Sequence, residues 1–180
     1  GKFCLEKEIH LVVVGPEVPL VEGLRDHFES SSAFSSLRIV GPGKAGAQLE
    51  GSKDFSKQFM IRHGVPTAAA RTFTSKQVRD ALDYVANCPT PIVLKADGLA
   101  AGKGVIITSS REEAASTVRD MLENGRFGAA GSRLLVEQFL DGIELSVFVL
   151  TDGKDYVLLP EAKDYKRVGD KDTGPNTGGM

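Results

Sequence analysis

The sequence has few of the features that mark secreted, membrane-spanning or metal-binding proteins. Its two cysteines, Cys4 and Cys88, stand far apart without metal-ligand spacing, so we expect reduced thiols, with neither a disulfide nor a zinc site. No stretch approaches the roughly 18 apolar residues that a transmembrane helix needs. The opening residues, 1–6, lack the charged and apolar regions of a signal peptide. We therefore expect a cytoplasmic protein with no membrane partner.

An excess of charge of one sign is also missing. The 22 basic and 24 acidic side chains leave a formal net charge of -2, and no basic run could follow a phosphate backbone. Nucleic acid is therefore not an expected partner. The chain has 180 residues, 41% of them hydrophobic, which is enough to bury the core of one domain or of two small ones.

The first 43 residues have the pattern of a parallel α/β unit. The apolar run 11–14 predicts a strand buried on both faces, and 37–40 predicts a second strand. Leu20, Leu24 and Phe28 recur at helical spacing between them. One such βαβ unit is too small for a doubly wound domain, so we expect the N-terminal half of that domain to precede Gly1 and the chain to be a fragment.

Beyond this unit, helices and short strands alternate. Phe55, Phe59 and Met60 form one helical stripe, and two capping boxes, Thr74 with Gln77 and Ser110 with Glu113, predict two further helices. The segment 156–159 would form an antiparallel hairpin with 144–150 through Asp152 and Gly153. The predicted strands of this part are 92–96, 105–107, 134–136, 144–150 and 156–159.

A first glycine-rich loop, 41–46, matches the G-x-G-x-x-G pattern after a predicted strand. A dinucleotide site would also need an acidic residue about 20 positions further on to bind the ribose, and the sequence has none there. We therefore favour an ordinary turn from strand to helix.

A second glycine-rich loop, 97–104, connects two predicted strands. It is not a Walker A loop, because Gly98 stands one residue too close to Gly102, and Gly104 takes the place of the Ser or Thr that holds magnesium. Its backbone N–H groups and Lys103 could close over a triphosphate, with Lys95 as a second cation on the entering strand. The alternative is an ordinary glycine-rich hairpin.

A third element, 137–142, follows a predicted strand, and Glu144 comes shortly after it. Such a segment can present backbone donors and acceptors to an adenine edge, while a carboxylate accepts hydrogen bonds from ribose hydroxyls. An acidic strand edge is more often simply solvated, so this element decides nothing by itself.

Taken together, these elements resemble the nucleotide site of ATP-grasp enzymes. The resemblance lies in Lys57 on a helix, I-V-L-K at 92–95, D-G-L-A-A-G-K-G at 97–104 and E-Q-F-L at 137–140, in that order and spacing. Longer strings resemble the glycinamide ribonucleotide synthetase family over essentially the whole chain. They are G-P-E at 15–17, Q-L-E-G-S-K at 48–53, R-H-G-V-P-T-A at 62–68, K-A-D-G-L-A-A-G-K-G-V at 95–105 and D-T-G-P-N-T-G-G-M at 172–180.

This resemblance implies an α/β (α+β) architecture, an ATP-grasp fold preceded by the end of a doubly wound parallel domain. Residues 1–43 would be the C-terminal part of that N-terminal domain, and 44–180 the ATP-grasp region. Within the latter, a lid subdomain would span about 66–133 and the central subdomain would start at about 134 and continue to 180.

The family's reaction is ATP-dependent ligation of glycine to 5-phosphoribosylamine through a glycyl phosphate, giving glycinamide ribonucleotide in purine synthesis. The implied partners are these small molecules, with ATP and Mg²⁺ as cofactors and Mn²⁺ as a substitute. The family's metal ligands would lie beyond residue 180, so we predict no metal ligand in this chain and no turnover by the fragment alone.

By resemblance, the site residues fall into three groups. Lys95, Lys103 and Lys166 would be catalytic. The nucleotide would be bound by Lys57, Lys95, Gly98, Gly102, Lys103, Gly104, Glu137, Gln138, Leu140 and Glu144. The other substrates would be bound by Glu17, Asp164, Lys166, Arg167, Asp172, Thr173, Pro175, Asn176 and Gly178.

Two departures and two alternatives accompany this assignment. Many family members carry histidine where this chain has Tyr165, and the glycine- and threonine-rich tail after Asp172 could be an ordinary disordered loop. The chain could also belong to another ATP-grasp ligase of purine synthesis, or to a nucleotide-binding module without catalysis. Against the latter stand Lys57, Lys95 and Lys103, since a structural descendant has no reason to keep several like charges in one cleft.

Overall fold

A computed structural model of the chain describes residues 1–99, 104–126, 128–165, 167–170 and 173–176. The helices are α1 Lys2–Glu6, α2 Glu17–Glu22, α3 Leu24–Glu29, α4 Lys44–Gly51, α5 Lys53–Arg62, α6 Val78–Asn87 and α7 Arg111–Leu122. The strands are β1 Leu11–Val13, β2 Arg38–Val40, β3 Ala70–Thr74, β4 Ile92–Ala96, β5 Val105–Thr108, β6 Arg133–Gln138, β7 Leu145–Ser146, β8 Val149–Thr151, β9 Tyr156–Leu158, β10 Ala162–Lys163, β11 Arg167–Gly169 and β12 Thr173–Asn176.

The predicted βαβ unit is confirmed, because β1 and β2 pair in parallel. The prediction of a single helix between these strands is wrong in one respect. The helix is divided into α2 and α3 at Gly23, whose φ of 97° is left-handed and ends α2. Leu20 and Phe28 are nevertheless buried on these two helices, as their spacing predicted.

The expectation that the first strand is buried on both faces is also wrong. Leu11 is 54% exposed and Val13 is 68% exposed. The reason is that β1 and β2 form a sheet of two strands in the described part of the chain, so β1 has one neighbouring strand and little cover over its faces. The glycine-rich loop after β2 is the ordinary turn into α4 that we favoured, with Gly43 at the N-cap.

A four-stranded antiparallel sheet, in the order β3-β6-β4-β5, dominates the rest of the structure. The amphipathic helices α6 and α7 pack on one face of it, and strand alternation supplies the apolar side chains that meet them. The buried core comprises Phe73, Ala81, Val85, Ile92, Leu94, Ala114, Val118, Met121, Leu122, Leu134 and Val136.

The two predicted capping boxes have different outcomes. Thr74 and Gln77 form both bonds of the box. Ser110 caps α7 by accepting a hydrogen bond from the Glu113 N–H at 3.1 Å, but the Glu113 carboxylate bonds the Thr108 hydroxyl and does not close the box. Helix α7 begins directly after Ser110, as predicted, whereas the Thr74 box opens a 3₁₀ turn, Ser75–Gln77, that leads into α6 at Val78.

The predicted strand 144–150 is wrong as a single strand. Its first part, β7, pairs with β10, whereas its second part, β8, pairs with β9 in the predicted hairpin. Residues 147 and 148, between the two short strands, belong to neither of them. The hairpin turn is wider than two residues, and Asp152 Oδ1 accepts the N–H groups of Lys154 and Asp155, both at 2.9 Å. In the described residues, no helix has the length and apolarity to cross a bilayer.

Candidate functional site

A cleft of about 440 Å³ opens on the sheet face opposite α6 and α7. Side chains from α4, α5, β4 and β6 line it, together with the segment that leads into β3. The lining residues are Leu49, Glu50, Lys53, Ser56, Lys57, Met60, Thr67, Lys95, Leu135 and Glu137.

Strand alternation and register bring Lys95 and Glu137 to this face. In β4, Leu94 and Ala96 are buried, so Lys95 between them points the other way. Lys95 pairs with Leu135 of β6, and Glu137 follows two residues along on the same face. The side chains of Lys95 and Glu137 are thus diagonal neighbours and can meet.

Glu137 bridges two lysines that come from different elements. One of its carboxylate oxygens pairs with the Lys57 ammonium and the other pairs with the Lys95 ammonium. Lys57 Nζ also donates to Thr67 Oγ1 at 2.6 Å and to the Ala68 carbonyl at 3.0 Å. Lys57 is only 4% exposed, and these three acceptors match the three donors of its ammonium group.

The electrostatics of the cluster favour an ionised Glu137. Burial acts to raise the pKa of this carboxyl, but the hydrogen bonds from Lys57 and Lys95, together with their charges, outweigh burial and hold the pKa below its usual value. Two ammonium groups and one carboxylate leave the cluster with one net positive charge. That charge suits an anion such as a phosphate group.

A third cation, Lys53, also lines the cleft, and the motif reading did not single it out. Its Nζ donates to the Gly98 carbonyl at 3.0 Å and to the Asp97 carbonyl at 3.4 Å. Burial lowers the pKa of Lys53, against the opposing attraction of Asp97 and Glu50, and repulsion from Lys95 adds to the lowering. Lys53 stands four residues before Lys57, so helical periodicity could have placed both on one face of α5.

The two ends of the second glycine-rich loop connect directly to strands β4 and β5. Gly98 follows β4, and the buried Gly104 accepts a hydrogen bond from the Ala96 N–H at 2.8 Å just before β5. The antiparallel pairing of β4 with β5 confirms that the loop joins two strands. The candidates Gly102 and Lys103 lie outside the described residues.

The segment predicted for the adenine continues directly from the lysine cluster. Gln138 ends β6 and donates its N–H to the Ala69 carbonyl at 2.8 Å, and the side chain of Leu140 is exposed. Further on, the Glu144 carbonyl accepts the Asp164 N–H at 3.2 Å, next to the pairing of β7 with β10. The pairing of Glu137 with two lysines is a contact that the motif reading did not foresee, because it depends on the register of β4 with β6.

The residues predicted to bind the other substrates lie on separate elements. Glu17 is the first residue of α2 and is exposed, and Asp164 follows β10. Thr173, Pro175 and Asn176 belong to β12, which pairs with β11 so that Asn176 stands opposite Arg167. The remaining candidates lie outside the described residues, and they are Lys166, Asp172 and Gly178.

Comparison with protein families accounts for the whole chain. Residues 51–180 match the family model "Phosphoribosylglycinamide synthetase, ATP-grasp (A) domain", and residues 1–50 match "Phosphoribosylglycinamide synthetase, N domain". The chain belongs to the phosphoribosylglycinamide synthetase family. The family predicted from the motifs is therefore confirmed.

Individual members of the phosphoribosylglycinamide synthetase family and a more distant structure agree with this assignment. A phosphoribosylamine–glycine ligase of Vibrio vulnificus is 54% identical over 178 residues, which cover 99% of this chain and 40% of that protein. The crystal structure of a phosphoribosylamine–glycine ligase from Thermotoga maritima matches with a TM-score of 0.76 and 33% identity, covering 100% of this chain and 43% of the other.

A third similar structure comes from a different enzyme. It is the biotin carboxylase domain of a 2-oxoglutarate carboxylase from Hydrogenobacter thermophilus, in complex with MgADP, ADP and bicarbonate. It matches with a TM-score of 0.66 and 25% identity over 92% of this chain and 36% of that one. The predicted α/β ATP-grasp fold is confirmed by these likenesses. The chain spans about 40% of the length of the curated relatives that it matches.

Proposed function

We propose that the full-length protein is an ATP-dependent carboxylate-amine ligase that joins glycine to 5-phosphoribosylamine. The observation that carries this proposal is the cluster in which Glu137 holds Lys57 and Lys95 together in one cleft, with Lys53 beside them. The name that its family members bear, phosphoribosylamine–glycine ligase, supports the choice of substrates.

The cleft has the size and charge that a nucleotide needs. Its volume of about 440 Å³ falls within the range of small-molecule sites, and its lysines supply ammonium donors for a triphosphate. In this proposal Lys57 and Lys95 contact the phosphates, and Gly98, Gly102, Lys103 and Gly104 cover them. Gln138 and Leu140 lie at the adenine, with Glu144 at the ribose. Mg²⁺ would accompany the triphosphate, and none of the residues assigned in this proposal is a metal ligand.

ATP, as the co-substrate, supplies the phosphoryl group that converts the glycine carboxylate into an acyl phosphate, from which the amine of phosphoribosylamine displaces phosphate. Phosphoryl transfer needs little covalent help from the protein, so the lysines act through position and charge. Exclusion of water protects the acyl phosphate from hydrolysis. The proposed residues for the other substrates combine cationic side chains for a sugar phosphate with polar groups, and they are Glu17, Asp164, Lys166, Arg167, Asp172, Thr173, Pro175, Asn176 and Gly178.

The test is a substrate-omission assay with the full-length protein. Release of phosphate from ATP should require both glycine and phosphoribosylamine, and the product should be their amide. Phosphate released at an equal rate without glycine would contradict the substrate assignment. No release with any carboxylate and amine, despite ATP binding, would favour the non-catalytic module instead.

A further inference from the structure

Asp97 is the first residue after β4, and each of its polar groups makes a hydrogen bond. Its N–H donates to the Arg133 carbonyl at 3.1 Å, and its carbonyl accepts the Lys53 N–H at 3.2 Å. Its carboxylate accepts the Asp54 N–H at 2.8 Å and the Ser52 hydroxyl at 3.0 and 3.2 Å. Asp97 therefore joins the end of β4 to the first turn of α5.

A second carboxylate extends this junction across the sheet. Asp54 Oδ1 accepts the Thr72 hydroxyl of β3 at 2.6 Å, and Asp54 Oδ2 pairs with Arg133 Nη1 of β6 at 3.1 Å. Because Arg133 also accepts the Asp97 N–H, the contacts form a closed ring. The N-terminus of α5 is thus tied to three strands of the sheet.

The two lysines of the cluster lie on either side of this junction. Lys95 stands two residues before Asp97 in β4, and Lys57 stands three residues after Asp54, within one turn of α5. A displacement of the first turn of the helix would move Lys57 with it, because the helix is stiff over so short a length. The junction therefore joins the two elements that carry the ammonium groups meeting at Glu137.

We propose that Asp97 is a positioning residue, which anchors α5 to the end of β4 and so sets the spacing of Lys57 and Lys95. A carboxylate is suited to this place, because it accepts free N–H groups of a helix N-terminus and complements the helix dipole there. The consequence for ATP rests on the proposed function. The anchoring itself is a property of the protein without nucleotide.

The first experiment measures the anchor in the full-length, nucleotide-free protein. Asp97→Ala should speed hydrogen exchange of the Asp54 amide about fivefold or more, since its acceptor is gone. Asp97→Asn keeps one acceptor oxygen and should show a smaller increase. Exchange of this amide at the wild-type rate in Asp97→Ala would overturn the proposal.

The second experiment measures ATP affinity by calorimetry, with a matched pair of helix caps as the control. Ser52 and Ser110 cap α5 and α7 in the same way, each accepting an N–H at 3.1 Å, but only Ser52 bonds Asp97. Asp97→Ala should raise the Kd for ATP about tenfold, as expected for misplaced binding groups, and Asp97→Asn should raise it less. Ser52→Ala should weaken binding in the same direction, and Ser110→Ala should leave the Kd unchanged.

The two arms separate failure of the anchor from failure of the function. Equal ATP affinities for Asp97→Ala, Ser110→Ala and wild type would overturn the positioning role while leaving ATP binding intact. The wild-type protein could bind no ATP while Asp97→Ala still speeds hydrogen exchange of the Asp54 amide. That combination would overturn the proposed function and support the anchoring by Asp97.

Discussion

At the scale of single residues, Glu137 holds the two lysines of the cleft together. It is the shared partner of Lys57 and Lys95, and Lys57 is buried. A buried charge is tolerated only while it is paired and hydrogen-bonded, so removing one member of such a pair costs more than the pair itself contributes. The same carboxylate therefore matters for folding and for the geometry of the site.

Glu137→Ala should lower the free energy of unfolding of the full-length protein by about 3 kcal/mol, because Lys57 would be left buried without its counter-charge. Glu137→Gln should cost less, since its amide oxygen still accepts one lysine hydrogen bond. Urea unfolding measures both. Replacement of the exposed Glu161 by alanine is the control and should change little. Equal stabilities of Glu137→Ala and the control would show that the bridge does not stabilise the fold.

The bridge between Glu137 and the two lysines also makes the stability of the protein depend on pH. The pKa of Glu137 is lowered in the folded protein from an ordinary value of 4.5, so its contribution is fully present above about pH 4.5. It is lost as the pH falls through the lower, folded pKa. Urea midpoints measured from pH 7 downwards should therefore drop more steeply for wild type than for Glu137→Gln. Parallel curves for the two proteins would count against this linkage.

At the scale of elements, local sequence signals predicted where helices and turns begin better than they predicted which strands pair with each other. The hydroxyl caps at Thr74 and Ser110 and the glycine turn into α4 need only neighbouring residues, and they were predictable. The Lys95–Glu137 contact joins residues more than 40 positions apart and needs the register of β4 with β6, and the division of 144–150 needs the separate partners β10 and β9. The pairings of β4 with β6 and of β7 with β10 leave no local signal in the sequence, whereas the β8–β9 hairpin was predicted from its turn residues.

The break between α2 and α3 can be tested through its glycine. Gly23 has a φ of 97°, and an added Cβ would come within 3.2 Å of the Lys44 side chain. Gly23→Ala should therefore lower the free energy of unfolding by about 1 kcal/mol or more. Gly15→Ala is the matched control, because the φ of Gly15 lies outside the left-handed region and no atom lies within 4 Å of an added Cβ. If the Gly23→Ala protein were as stable as the Gly15→Ala protein, the predicted backbone strain at position 23 would be contradicted.

At the scale of the whole molecule, one sheet has an apolar face and a face that carries charged side chains. The face towards α6 and α7 carries the apolar core, and the opposite face carries the lysine cluster. Adjacent residues of β4 therefore belong to different layers. The predicted boundaries at residue 43 and at the start of the central subdomain near residue 134 stay predictions.

Leu94 and Lys95 allow the two faces to be compared. Leu94 is fully buried, so Leu94→Ala should lower the free energy of unfolding by about 3 kcal/mol while the folded fraction still binds ATP. Lys95→Ala should remove most ligase activity with a much smaller effect on unfolding, since Lys95 is partly exposed and contributes charge more than packing. Chemical denaturation and the ligase assay on both variants check the pair. Near-normal turnover by Lys95→Ala would contradict the assignment.

The bridge at Glu137 also bears on how an anion would enter the cleft. Lys57 and Lys95 already have an internal counter-ion, so at long range they act as one unit charge and not as two. Under the proposed function, an arriving triphosphate would share or replace the carboxylate, and one ion pair would be exchanged for another with little release of mobile salt ions. The affinity of this cleft for nucleotide should therefore vary less with ionic strength than that of a site built from unpaired lysines.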